Sequence, residues 1–113
     1  MATDCLFCRI IRKEIPATLL AENGQCIAFR DINPQAPTHI LVIPREHVAT
    51  LNDVTDPTVI AQMYQLAMQL AKSEGLADGG YRTVINTNAD AGQTVFHIHL
   101  HLLGGRRMKW PPG

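Results

Sequence analysis

The chain has 113 residues and a formal net charge of zero. A chain of this length is expected to form one domain, residues 1–113, and its balanced charge gives no long-range grip on nucleic acid or on an anionic membrane. No apolar run approaches the ~20 residues that cross a bilayer, and no basic-then-apolar leader is visible, so a cytoplasmic protein is expected.

A short helix is expected over Asp4–Arg12, ending before the Lys13-Glu14-Ile15-Pro16 turn. It carries Cys5-Leu6-Phe7-Cys8. With three cysteines in all, the chain is no disulfide scaffold. The C-x-x-C pair is half of a zinc site or a reduced, inert thiol pair, and His47 and His97 are the candidates for the two missing ligands. Strands follow over Thr18–Glu22 and Gln25–Asp31, joined across Asn23-Gly24, a strong hairpin signal. Cys26 within the second reads as a small buried hydrophobe. Asn33-Pro34-Gln35-Ala36-Pro37 is a rigid loop leading into the apolar strand His39–Pro44.

Asp56-Pro57 then supplies an N-cap and a proline at the first helical position. Ile60, Met63, Tyr64, Ala67, Leu70 and Ala71 recur at three- and four-residue steps, the core face of a long amphipathic helix that Gly75 and Asp78-Gly79-Gly80 stop. Met68 belongs to this core or to a helix–helix contact. Strands Tyr81–Thr87 and Val95–Leu103 complete the fold. The expected class is α+β: a mostly antiparallel sheet of about five strands, with one long and one short helix.

The last strand carries the most informative pattern. His97, His99 and His101 alternate with Phe96, Ile98, Leu100 and Leu102. A strand sends successive side chains to opposite faces, so the three imidazoles share one face and the apolar row faces a core. Alternate residues lie about 6.5–7 Å apart, whereas a zinc–nitrogen bond is only about 2 Å. Two neighbouring rings could share a metal; three on one straight strand could not. The row is better matched to an extended substrate, one imidazole attacking and a neighbour contacting what is attacked. The preceding Gly92-Gln93-Thr94 offers backbone N–H groups, an amide and a hydroxyl that can hold phosphate oxygens.

These residues carry a resemblance. His97-Ile98-His99-Leu100-His101-Leu102-Leu103 matches the histidine-triad signature. Ile11-Arg12-Lys13-Glu14-Ile15-Pro16, Phe29 through His39, and the tail from Gly104-Gly105-Arg106 to Trp110-Pro111-Pro112-Gly113 are similar to the histidine triad nucleotide-binding proteins, the phosphoramidase branch of the histidine triad (HIT) superfamily. The resemblance implies a HIT-like fold, a two-fold homodimer with Trp110 near the partner's active site, and a small-molecule purine nucleotide as substrate. It implies hydrolysis of adenosine or guanosine 5′-phosphoramidates, with no cofactor in the chemistry.

Carried over position by position, His99 is the nucleophile that forms a nucleotidyl-histidine. His101 and Thr94 bind phosphate oxygens, and Gly92 and Gln93 frame them. His97 orients the loop, and His39 extends a hydrogen-bonded chain from it. Asp31 takes the ribose hydroxyls or closes a turn on its own backbone. Asn86 lies near ribose and phosphate, and Phe7, Ile10, Phe29, Ile32 and Leu41 form an apolar slot for a flat base. The same resemblance suggests a structural zinc on Cys5, Cys8, His47 and His97, in which case His97 is not a free member of the triad. Thr94 stands where the branch more often has serine, keeping the hydroxyl but stiffening the side chain. The rival readings are a dinucleoside polyphosphate hydrolase using the same His99, a nucleotide- or zinc-binding interaction module with vestigial catalysis, and a metalloenzyme built on two triad histidines.

Overall fold

In the computed structural model, which describes residues 5–113, five strands form one sheet: β1 (Leu19–Glu22), β2 (Cys26–Arg30), β3 (Thr38–Pro44), β4 (Tyr81–Val84) and β5 (Leu100–Gly104). All neighbours pair antiparallel, in the order β1-β2-β3-β5-β4. Helix α1 spans Leu6–Ile11, α2 spans Thr58–Ser73 and a one-turn α3 spans Asn88–Ala91. The expected first residue of α1, Asp4, lies outside the described residues. No helix among those described is long and apolar enough to cross a membrane.

Alternation along β2 and β3 sorts the core into two layers. On one face Cys26, Ala28, Ile40, Val42, Ile98, Leu100 and Leu102 pack against Met63, Leu66, Ala67, Leu70 and Ala71 of α2. On the other, Ile27, Phe29, Leu41 and Ile43 pack under Phe7 and Ile10 of α1. The β1–β2 connection follows from one side chain: Asn23 Oδ1 accepts the N–H groups of Gln25 and Cys26 at 3.1 and 2.8 Å. Helix α2 begins one residue later than expected. Pro57 sits at the cap, and Asp56 Oδ1 accepts the Thr58 N–H at 3.0 Å from one step further out.

β1 and β2 are trimmed by a residue at one or both ends, and two strands differ more from the expected bounds. β4 ends at Val84 rather than Thr87, because Asn88–Ala91 closes into α3, which Gly92 ends at φ 87°, a conformation suited to glycine. β5 begins at Leu100 rather than Val95. Its partner β3 stops at Pro44, which has no N–H to offer, and the Ile98 N–H instead reaches the Val48 carbonyl at 2.7 Å. Phe96, expected in the core row, is therefore off the ladder and 47% exposed.

Candidate active site

The histidines separate into two groups. His97 is fully buried, and both its ring nitrogens point away from the cavity described below. Its Nε2 lies 2.8 Å from the Pro44 carbonyl, an obligate acceptor, so Nε2 carries the proton. That leaves a lone pair on Nδ1, which faces Cys5 Sγ at 3.4 Å and Cys8 Sγ at 3.5 Å. His47 Nδ1 approaches Cys8 Sγ at 3.5 Å. The four donor atoms lie within 4.8 Å of one another. Zinc bonds of about 2.3 Å to sulfur and about 2.0–2.1 Å to nitrogen, opened to the tetrahedral angle, put S and N about 3.6 Å apart. The three Sγ–Nδ1 separations therefore suit a tetrahedral zinc, the donor set is a zinc donor set, and His97 is in the tautomer that would ligate it. Without metal, burial first and then the neighbouring Cys5 push the Cys8 thiol up to about 11.

His99 and His101 face the cavity. Nδ1 of His99 is 2.8 Å from the carbonyl of His97, so that nitrogen donates and Nε2 keeps its lone pair. The expected chain from His97 to His39 is not formed; His39 joins His101 instead. The Gln35 N–H, an obligate donor, points at His39 Nδ1 at 3.0 Å, so His39 is protonated on Nε2 and gives that proton to His101 Nδ1 at 2.9 Å. Neutral His101 then carries its own proton on Nε2. A bare lone pair on His99 and an N–H on His101 thus stand on neighbouring rings whose centroids are 4.9 Å apart. Burial lowers the pKa of both, that of His101 to about 4.

Asp31 closes the turn expected of it and also approaches the histidine pair. Oδ1 accepts the Asn33 N–H at 2.8 Å, while Oδ2 lies 3.4 Å from His39 Nε2. Asp31, His39 and His101 also converge closely enough to suggest a second metal cluster. The tautomer excludes it, because His39 Nε2 bears a proton rather than a lone pair.

A cavity of ≈ 380 Å³ joins these groups. Phe7, Ile10, Phe29 and Leu41 form its apolar wall, Asp31, His39, His99, His101 and Thr94 its polar one, and Ile32 stands at the rim, 97% exposed. Asn86, Gly92 and Gln93 are not among its lining residues. Gln93 braces the backbone instead. Its Nε2 donates to the carbonyls of Ala49 and Val95 at 2.8 and 3.1 Å, and its Oε1 accepts the Asn88 N–H at 2.8 Å. These bonds lock the loop that carries Thr94. Reading the sequence missed Gln35 and Pro44, which act through backbone atoms and leave no side-chain signal. Leu6, Ala17 and Val95 also line the cavity.

A family model described as the HIT domain matches residues 12–108. The chain belongs to the HIT domain family. It is similar, at 48% identity over 94% of this chain and 91% of the other, to a purine nucleoside phosphoramidase of Escherichia coli. A HIT family hydrolase from Legionella pneumophila superposes with a TM-score of 0.94 at 56% identity, over 97% of this HIT protein and 100% of that chain. A histidine triad protein from Clostridium difficile gives 0.91 at 38% identity, over 95% of each chain.

Proposed function

We propose that this HIT protein is a purine nucleoside phosphoramidase. The observation that carries the reading is the lone pair of His99 Nε2, left bare in the cavity because Nδ1–H is bound to the His97 carbonyl. In the first step Nε2 attacks the α-phosphorus, the P–N bond to the amine breaks, and the amine leaves with a proton drawn from water. The imidazolium so formed keeps its Nδ1–H on a fixed acceptor, where developing positive charge is stabilised. His101 Nε2–H and the Thr94 hydroxyl hold the non-bridging oxygens, Asp31 takes the ribose hydroxyls, and the base lies against Phe7, Ile10, Phe29 and Leu41. Water then cleaves the nucleotidyl-histidine to the nucleoside monophosphate, dividing one hard displacement into two. The 48%-identical phosphoramidase supports nitrogen over a second nucleotide as the leaving side.

Hydrolysis of adenosine 5′-phosphoramidate by the wild type and by His99→Ala tests this. The expected result is AMP from the wild type and a loss of at least ~10³-fold in kcat in the variant. Turnover that survives His99→Ala removes the covalent mechanism.

We also propose that Cys5, Cys8, His47 and His97 hold a zinc ion, which supplies a structural cross-link between α1, the segment after β3 and the approach to β5, and takes no part in the chemistry. One zinc per chain, absent from Cys8→Ser, is the expected metal content. A homodimer is the proposed assembly, since β4 lies at a sheet edge and Met68, Tyr81 and Trp110 are all exposed. Trp110 would then reach the partner's leaving-group side.

A further inference from the structure

We infer that the Cys5/Cys8/His47/His97 centre and the nucleotide cavity are energetically coupled through α1, so that metal in one tightens nucleotide in the other. The inference rests on the proposed reading of both sites, and its substance is that they share parts. Helix α1 has six residues, with Cys5 at its N-cap and Cys8 within it. Between and beyond those thiols, Leu6, Phe7 and Ile10 line the cavity. The Phe7 ring stands edge-on to His97 and His99, with centroids at 5.9 and 5.1 Å, and to Phe29 at 5.6 Å. His97 joins the two sites a second way: its Nδ1 belongs to the metal centre, and its carbonyl fixes Nδ1–H of His99.

A six-residue helix cannot hold itself together in water, so the place of α1 is set by what it packs on and what it ligates. A zinc ion with two thiolates and two neutral imidazoles carries no net charge. Its effect on a phosphate in the cavity is therefore positional and not Coulombic. Metal fixes α1, the fixed Phe7 gives His99 and the base slot one arrangement, and the ordering that nucleotide binding would otherwise require is already done. The coupling is reciprocal, so nucleotide must raise the affinity for zinc by the same factor.

The test measures the AMP Kd of the zinc-loaded and chelator-stripped protein, and the zinc Kd by chelator competition with and without saturating AMP. Both ratios are expected to agree, at about five-fold or more. Phe7→Leu keeps all four metal donors and removes the ring contacts; it should bind zinc and lose most of the factor. Equal AMP affinity with and without zinc overturns the coupling. A factor unchanged in Phe7→Leu overturns the route through α1, because only coupling through the His97 backbone or through global unfolding would survive that change. Zinc-loaded protein that does not bind AMP overturns the inference together with the nucleotide reading, and failure to take up zinc overturns it together with the metal reading.

Discussion

His39 Nε2 lies 2.9 Å from His101 Nδ1, while the opposite nitrogen of His39 is pinned by the Gln35 N–H at 3.0 Å. A backbone amide thereby sets the tautomer of two side chains and turns the Nε2 proton of His101 toward the cavity. His39 itself is a positioning residue on this reading. His39→Ala should lower kcat for adenosine 5′-phosphoramidate by about 10- to 100-fold and leave KM within a few-fold, because the ring it orients matters most as charge develops on phosphorus. A change confined to KM would contradict this.

The same burial makes the fold sensitive to acid. His101 is held down to about 4 by desolvation first and then by the neighbouring His99 and His39, and His39 is lowered by desolvation against an opposing pull from Asp31. Unfolded, both titrate near ~6.5. Above that pH neither state takes the proton and stability is at its maximum. As pH falls from about 6.5 toward 4 the unfolded chain gains protons that the native rings refuse, so stability drops. Thermal melts at pH 7.5, 6 and 5 should show a steadily falling Tm, and a Tm that stays level across this range would count against neutral buried rings.

Ile32 offers a separation of binding from folding. It is 97% exposed, so removing its side chain takes nothing from the core. A base laid in the cavity would cover it, and an aliphatic side chain fully taken out of water contributes about 1.5–3 kcal/mol. Ile32→Ser should leave Tm within about 1 °C and weaken AMP by roughly 10- to 150-fold in calorimetry. Unaltered affinity would place the base elsewhere.

Gly105 joins β5 to the C-terminal segment at φ 91°, and a Cβ there would stand 2.9 Å from Pro37 Cβ, part of a ring that cannot swing aside. Gly105→Ala should cost about 2–3 kcal/mol, roughly 10 °C in Tm. Gly79→Ala, where nothing lies within 4 Å and the backbone is unstrained, should fall within about 0.5 kcal/mol of wild type.

Much of this is legible in the sequence because it is written in side-chain periodicity. The steps of three and four from Ile60 to Ala71 locate α2, and the alternation of His97, His99 and His101 puts three imidazoles on the face away from it. Leu66, three residues after Met63 and four before Leu70, lies on the same period and is fully buried with them. Backbone partners are not legible. Nothing in the residue types says that Pro44 offers a carbonyl to His97, that Gln35 offers an N–H to His39, or that Gln93 turns its amide to Ala49, Val95 and Asn88. Those contacts depend on where β3 stops and how the loops return. They are what divides the three histidines between the Cys5/Cys8/His47 cluster and the cavity.

The run from His97 to Leu102 serves two masters with one period of two: its odd-numbered residues are the imidazoles, and Ile98, Leu100 and Leu102 are sealed against α2. Insertion or deletion of a single residue in this run would exchange the faces, driving imidazoles into the hydrocarbon layer and leucines into the cavity. Chemistry and folding therefore share one reading frame here. Substitutions can alter one ring at a time, but a change of length within the run cannot spare one face and lose the other.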